Sequence, residues 1–440
     1  MSSAELVRAT LNRAPVGVLG TMTARDSKIR VGWLSCGNAA YTVAQWLTVA
    51  VLARWADVAT LGAYALGNAL AVPVLTLTGL QLRTLLSVDP LERFSVRDYV
   101  LLRFLGVAVG VPVLAALVFA KGLELAPLLI VLIVVVLRGL EALIDIVHAI
   151  FQRFEQPHLI GKALVLRSTA SIAVLWIAIV WTRKPLLAFA ASLFASLTCF
   201  IAYDLRRVRA ASPVRPTPSR NVSSHRLFGL AVTALPMGLA LFLTVLNTSL
   251  PKVLIEQVRG LEALGIFAAV SYLAYPGGIL MTSITQASSA RLAEHFRNRR
   301  RDGFNAIARR MVRMAGLLGV GGIVVSVGLG GELLAVAYGP TFASYRDLLV
   351  VFAVASGVGF IGAALGMCVT ATGCYWPQTV IHSTIALVTF GACLLGIPRY
   401  GLMGAAGSVL LANVVGVTAY GVLLARRLGV AREVESCAAA

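Results

Sequence analysis

Residues 126–150 read APLLIVLIVVVLRGLEALIDIVHAI. An α-helix needs about 20 predominantly apolar residues to cross the hydrocarbon core of a bilayer, and this segment is long enough to do so. It also carries Arg138, Glu141 and Asp145. Ionisable side chains inside a membrane span are costly, and they usually face a helix bundle or an aqueous cavity. The segment therefore predicts a membrane-spanning helix with one polar face.

The composition of the whole chain also indicates a membrane protein. Of its 440 residues, 58% are hydrophobic and only 13% are charged, whereas a soluble domain has about 25% charged residues. The net charge of +19 would by itself be typical of nucleic-acid binding. The basic residues lie mainly in short gaps between apolar segments, however, where they mark the cytoplasmic side of a membrane. We therefore expect no nucleic-acid partner.

Hydrophobicity predicts twelve spans, each bounded by charged residues, Pro or Gly. They cover residues 31–53, 61–82, 99–119, 126–150, 162–182, 185–205, 227–250, 261–288, 312–334, 344–371, 375–396 and 401–425. The loops alternate in charge, with 29 basic residues assigned to one side and 8 to the other, and Arg138 is the one basic residue assigned to mid-span. Because basic loops stay in the cytoplasm, both termini are predicted to be cytoplasmic.

The spans form two halves of six. A shift of 203 residues lays Leu61-Gly62 on Leu264-Gly265, and six spans per half favour a parallel repeat. The predicted fold is an all-α polytopic membrane protein with two six-helix lobes, related by a pseudo-twofold axis along the membrane normal, around a central cavity. The segments are a cytoplasmic N-terminal segment (1–30), an N-lobe (31–205), a basic Pro-rich cytoplasmic linker (206–226), a C-lobe (227–425) and a cytoplasmic tail (426–440).

The polar residues of the fourth span lie on one face. Arg138, Glu141, Asp145, His148 and Gln152 fall within an arc of roughly 80° at about 100° per residue. This pattern predicts a cavity wall on which Arg138 binds a phosphate or pyrophosphate, while Glu141 or Asp145 exchanges a proton or binds Na⁺. Two alternatives remain open at this point. Arg138 and Glu141 could neutralise each other, and Asp145 and His148 could be solvated near the cytoplasmic boundary.

Six further polar residues are candidate cavity residues. They are Asn38 and Gln45 in the first span, Arg54 at its outer end, Arg83 at the inner end of the second span, and Asn247 and Lys252 in the seventh. The amides could instead join two helices, and the basic residues could instead anchor helix ends at the membrane surface. The second-half segment that a shift of 220 residues pairs with the charged face is glycine-rich, from Gly357 to Gly366. We therefore expect the charge chemistry to differ between the two lobes.

Four short sequence patterns, none of them specific when taken alone, follow one another along the chain. They are Gly62 to Gly67 with Leu80 to Arg83, Glu141 to Asp145 with Gln152 to Glu155, Leu264 to Phe267 with Gln286, and Gly401 to Ala406. By these patterns the chain resembles the polysaccharide-transport branch of the multidrug/oligosaccharidyl-lipid/polysaccharide exporter superfamily. The resemblance covers essentially the whole chain from residue 31.

The resemblance implies a transporter, not an enzyme. It would move an undecaprenyl-pyrophosphate-linked oligosaccharide from the inner to the outer leaflet of the bacterial inner membrane by alternating access, for surface polysaccharide biosynthesis. Arg138, Arg83 and Lys252 would be the candidates for binding the anionic headgroup. We expect no metal and no cofactor, with H⁺ or Na⁺ as the coupling ion. The expected partners are the lipid-linked substrate, membrane lipids and other polysaccharide assembly proteins.

Two other functions are alternatives. A cation-coupled multidrug exporter of the same superfamily would share the fold. A membrane-embedded polysaccharide polymerase or ligase would need a substantial outer loop with basic or His residues, and the predicted outer loops are short. The enzyme is therefore the weaker alternative.

Overall fold

The computed structural model describes residues 24–88, 94–211, 223–373 and 375–439. Every regular element in these ranges is a helix. The first 23 residues and residues 212–222 fall outside the description, so most of the predicted N-terminal segment and much of the predicted linker are not covered.

The helices of the first half run from residue 24 to residue 211. They are α1 (Ala24–Trp55), α2 (Val58–Gly79), α3 (Leu82–Val88), α4 (Val96–Phe119), α5 (Leu125–Arg153), α6 (Pro157–Thr182), α7 (Pro185–Cys199), a π-helical turn (Phe200–Leu205) and α8 (Arg206–Ala211). The helices of the second half are α9 (Ser224–Leu273), α10 (Tyr275–Arg297), α11 (Arg301–Tyr338), a 3₁₀ turn (Pro340–Tyr345), α12 (Arg346–Ala371) and α13 (Tyr375–Ala439).

Local sequence explains where several helices begin. The Ser95 hydroxyl accepts a hydrogen bond from the Asp98 N–H, and the Asp98 carboxylate accepts one from the Ser95 N–H, which forms a capping box at the start of α4. α6 and α7 begin at Pro157 and Pro185, where the missing proline N–H has no helical partner to lose. α2 ends at Gly79, and the next residue, Leu80, has left-handed backbone angles (φ 48°).

Nine described helices are long and apolar enough to cross a membrane. Two of them, Ser224–Leu273 and Trp376–Arg427, contain 50 and 52 residues, about twice the length that one crossing needs. Each is interrupted by a glycine with positive φ, Gly260 (φ 82°) and Gly401 (φ 58°). Glycine is favoured there because a Cβ atom would clash in this conformation.

One predicted span is wrong as a single helix. The segment 261–288 is divided at Ala274, where α9 ends and α10 begins. Pro276 in the first turn of α10 explains the break, because proline cannot donate the hydrogen bond that would continue the preceding helix.

Each half packs mainly on itself, and the two halves meet where α2 crosses α9. Gly62 faces the backbone of Leu261 there, and Gly265 faces the backbone of Val58, so closely that a Cβ atom at either glycine would overlap its neighbour. We call this the Gly260 end of the molecule. Large apolar side chains such as Phe194, Leu317 and Leu387 are exposed on the outside, as expected of a surface that faces lipid.

Candidate functional site

A polar cavity of about 650 Å³ lies between the two halves. The first half supplies most of its polar wall, from α1, α2, α5 and α6 together with residues around α3 and α4, and the second half supplies part of α9. The charged residues that line it are Arg83, Arg103, Arg138, Glu141, Asp145, Arg167 and Lys252. Five basic side chains therefore face two carboxylates, and an excess of positive charge in a cleft attracts anions.

Most of the predicted site residues meet in this cavity. The structure brings together Asn38, Gln45, Arg83, Arg138, Glu141, Asp145, His148 and Lys252. Arg54 and Asn247 do not line it. Arg54 lies at a separate, mainly apolar cavity and donates a hydrogen bond to the Val336 carbonyl. Asn247 donates a hydrogen bond to the His382 carbonyl (3.3 Å) and so joins α9 to α13. It therefore has the alternative role expected for these amides, that of joining two helices.

Asp145 is the centre of one ionic cluster. It accepts hydrogen bonds from Arg83 (2.8 Å) and Arg103 (3.1 Å), and Arg103 also donates to the Ala142 carbonyl (2.8 Å). The cluster ties α3 and α4 to α5. The chain reaches α3 through Leu80 and Gln81, both with left-handed backbone angles, and this turn directs Arg83 towards Asp145.

Arg138 is the centre of a second cluster. Its guanidinium donates to Glu141 (2.5 Å), to the Asn68 side-chain oxygen (2.5 Å) and to the Tyr41 hydroxyl (3.2 Å). Asn68 is oriented for this contact because its amide nitrogen donates to the Tyr64 carbonyl (2.8 Å). The cluster joins α1, α2 and α5. A buried guanidinium is stable only when its charge and its donors have such partners.

Two cavity cations have no such partner. Arg167 is only 6% exposed, and one of its terminal nitrogens has no hydrogen bond to any described residue. Lys252 lies over the ring of Tyr272, 5.6 Å from the ring centroid, and forms no ion pair within the described parts of the chain. These two side chains are the cations that an incoming anion could bind without first breaking an internal ion pair.

Arg138 is not the one cation that the described helices bring into the cavity wall. Arg103 and Arg167, which lie near the starts of the predicted spans 99–119 and 162–182, are also helix residues in that wall. The residues that begin the two helices could have predicted these positions. The capping box at Ser95 places Arg103 two turns inside α4, and Pro157 places Arg167 about three turns inside α6.

His148 contacts a residue that the charge pattern does not predict. Its Nε2 atom lies 3.3 Å from Oδ1 of Asp204 in the π-helical turn after α7, and the two side chains are 4% and 2% exposed. His148 therefore belongs both to the cavity wall and to a buried pair behind it. No pattern of period 3.6 predicts Asp204 at this place, because the π turn adds a residue to the helix.

Comparisons with known proteins agree with the sequence patterns. No protein-family model matches the chain. The chain is 21% identical over 390 residues to the "Capsular polysaccharide biosynthesis protein CapF" of Staphylococcus aureus, a match that covers 88% of this chain and 96% of that protein.

Solved structures match over most of their length. A "multidrug resistance MATE family transporter of the MOP superfamily" in an inward-facing conformation has a TM-score of 0.68 at 11% identity, over 96% of this chain and 99% of that one. "Lipid II flippase MurJ" in an inward closed conformation also has a TM-score of 0.68 at 11% identity, over 88% and 86%. A Vibrio cholerae MATE transporter has a TM-score of 0.62 at 14% identity, over 91% and 95%.

The chain has the fold of the multidrug/oligosaccharidyl-lipid/polysaccharide exporter superfamily. The resemblance predicted from the sequence is therefore confirmed. The long apolar helices and the fold together make the chain a multi-pass membrane protein. The matched structures are those of transporters and of a flippase.

Proposed function

We propose that this protein is a flippase for an anionic, lipid-linked oligosaccharide. It would carry an undecaprenyl-pyrophosphate-linked sugar to the outer leaflet of the bacterial inner membrane during surface polysaccharide biosynthesis. The observation that carries the proposal is the cavity, in which five basic side chains face two carboxylates. The sequence relative named for capsular polysaccharide biosynthesis and the fold shared with a lipid II flippase both support this substrate class.

Arg167 and Lys252 would bind the pyrophosphate first. They come from different halves of the molecule, α6 and α9, and neither has a carboxylate partner among the described residues. Binding of one anion by both would draw the two halves together. Arg138 and Arg83 would join only when the phosphate oxygens compete with Glu141 and Asp145 for their guanidinium groups, because both arginines are already paired.

This competition gives Glu141 and Asp145 a role in ion coupling. A carboxylate that loses its arginine to the substrate is left with an uncompensated charge in a poorly solvated place, and it then binds a proton or Na⁺ more readily. Substrate binding and cation binding would in this way be coupled through Arg138 and Arg83.

Transport would proceed by alternating access between two lobes of six spans. Twelve spans result when α1 is included, when α9 and α13 are each divided at Gly260 and Gly401, and when the short part of α9 after Gly260 is counted as one span with α10. At the Gly260 end the halves are closed by the α2–α9 contact and by an ion pair between Lys121 and Glu256. The predicted topology makes this end the outer one, so the cavity would be open to the cytoplasm.

A reconstituted assay tests the proposal. Proteoliposomes would contain a fluorescent undecaprenyl-pyrophosphate oligosaccharide, and its arrival in the opposite leaflet would be followed with a membrane-impermeant quencher. Arg167→Ala and Lys252→Ala should each lower the rate strongly. Arg183→Ala is the matched control, since Arg183 directly follows the helix that contains Arg167 and is exposed. Equal rates in all three variants would contradict the assignment of the anion site.

A multidrug exporter is the second candidate, because the fold is shared with MATE transporters. The positive cavity favours anions over cationic drugs. Uptake of a cationic dye by the same vesicles, without transfer of the lipid-linked sugar, would decide for the multidrug exporter.

A further inference from the structure

The His148–Asp204 pair lies behind the proposed anion site and has no role in it so far. Nε2 of His148 and Oδ1 of Asp204 are 3.3 Å apart, and both side chains are almost completely buried. Neither atom has a hydrogen bond of normal geometry to any residue that the structure describes. Buried polar atoms usually have one. Both atoms are therefore free to form a new hydrogen bond. A proton on His148 Nε2 would allow it to donate a charge-assisted hydrogen bond to Asp204.

Asp204 reaches this position through an unusual piece of backbone. It lies in the π-helical turn Phe200–Leu205, which follows α7 without a break. Such turns are rare and often occur at functional sites. The turn rotates the residues that follow it relative to α7, and Asp204 is the residue of the turn that is buried. His148 faces the cavity whereas Asp204 does not, so a proton can enter from cavity water through the imidazole.

The charges around His148 come from several helices. Asp204 on the π turn, Arg167 on α6 and Arg83 on α3 all act on it. On α4, Arg103 is occupied by Asp145. Other charged and titratable groups on the packed elements include the Tyr203 hydroxyl on the π turn, the Cys199 thiol at the end of α7, Arg206 and Arg207 on α8, both exposed, His158 and Lys162 on α6, Tyr41 on α1, Arg153 on α5, and Arg138 and Glu141, which are paired on α5 itself.

We propose that the His148–Asp204 pair is a proton-binding site whose occupancy sets the affinity of the cavity for an anion at Arg167. The proposal rests on the proposed function for the identity of that anion. With a neutral imidazole, the formal charges of His148, Asp204 and Arg167 sum to zero. When cavity hydronium gives its proton to His148 and leaves as water, the sum becomes +1.

Proton binding and anion binding then strengthen each other. Two ligands that share a coupling free energy change each other's affinity by the same factor, typically about 5-fold or more. Anion binding would accordingly be tighter at low pH, and an anion in the cavity would make His148 hold its proton to higher pH.

The first experiment measures the proton site without any ligand. The full chain would be labelled with ¹⁵N-histidine, placed in nanodiscs and followed by NMR from pH 5 to pH 8, with His148→Gln identifying the His148 signal. We expect this signal to change from imidazole to imidazolium as the pH falls. In Asp204→Asn the change should occur at lower pH, because the carboxylate that stabilises the cation is gone, and Asp204→Glu should restore it.

His382→Gln is the matched control. His382 is a second partly buried histidine, whose Nε2 lies 3.0 Å from the Tyr420 hydroxyl in the second half. Its replacement should leave the His148 transition unchanged. A His148 signal that is constant across this pH range, or one that Asp204→Asn does not move, would overturn the proton site.

The second experiment measures the coupling with farnesyl diphosphate as a soluble probe. The wild type should bind the probe about 5-fold or more tightly at pH 6 than at pH 8, and His148→Gln should lose this preference. The probe itself gains negative charge as the pH rises, so its own titration acts in the opposite direction. A wild-type preference retained in His148→Gln would overturn the coupling. Absence of binding at both pH values, together with a normal NMR transition, would instead contradict the anion site of the proposed function.

Discussion

The fourth span of the first half and its counterpart in the second half have different chemistry. α5 presents Arg138, Glu141, Asp145 and His148 to the cavity. The corresponding part of α12 is glycine-rich, and its glycines are packing contacts. A Cβ atom at Gly357 would lie 3.0 Å from the Gly319 Cα on α11, and one at Gly366 would lie 3.5 Å from the Tyr420 ring on α13.

The difference shows that the two repeated halves have different roles. Close glycine contacts let α11, α12 and α13 pack tightly, as small residues do at helix interfaces in membranes. The first half keeps a cavity open and supplies most of its charge. The second half adds Lys252 to the cavity wall, on the helix that crosses α2. We therefore expect substitutions in the first half to change transport and those in the α12 contact to change stability.

The largest effect on transport is expected from a substitution of Arg167 in the first half. Arg167→Glu places an unpaired negative charge where the substrate phosphate should bind. The transport rate should fall about 100-fold, since loss of a buried charge partner costs about 2–5 kcal/mol. The proteoliposome assay measures this, with Arg183→Glu as the exposed control directly after the same helix. A rate within a few-fold of the wild type would show that Arg167 does not bind substrate.

The glycine contacts of the second half can be tested by a substitution of Gly357. Gly357→Val should lower the free energy of unfolding by about 1–3 kcal/mol, because overpacking forces α11 and α12 apart. Thermal unfolding in detergent measures this. Gly321→Val on α11 is the control, since no atom lies within 4 Å of a Cβ atom built there. Similar melting temperatures for the two variants would contradict close packing at the Gly319–Gly357 contact.

The proposed role of the first half in ion coupling is tested by substitutions of Glu141 and Asp145. Glu141→Gln and Asp145→Asn remove the charges that Arg138 and Arg83 neutralise. Transport driven by an imposed proton or Na⁺ gradient should lose most of its gradient dependence in at least one variant, because an amide cannot exchange a proton and is a weaker cation ligand. If both variants keep the wild-type gradient dependence, neither carboxylate is a coupling site.

The smallest effect is expected at the contact that joins the two halves. Lys121 and Glu256 form the one ion pair between the first and second halves within the described residues. Lys121→Glu should change the transport rate by up to about 5-fold, because the pair, although its side chains are only 15% and 9% exposed, lies outside the cavity and the α2–α9 contact also holds this end together. The double variant Lys121→Glu/Glu256→Lys should restore the rate. A double variant no better than the single one would mean that the pair does not close the Gly260 end.

Several features of the fold and site could be predicted from the sequence. The long apolar segments predict spanning helices, and the spacing of Arg138, Glu141, Asp145 and His148 places them on one helix face that does line the cavity. Helical periodicity is a local property, so it can be read without knowledge of the fold. The same information does not tell which charges pair, since Arg103 and Asp145 lie on different helices.

The sequence by itself determined that this chain is a helical membrane protein whose fourth span has a charged face that its second-half counterpart lacks, because hydrophobicity and helical period depend only on neighbouring residues. The tertiary structure decided which of those charges are free. Asp145 and Glu141 neutralise arginines that the sequence predicts as substrate ligands, while Arg167, which the sequence does not single out, is buried in the cavity wall. Free and neutralised cations differ only in what lies within a few ångströms of them, and that distance is set by helix packing.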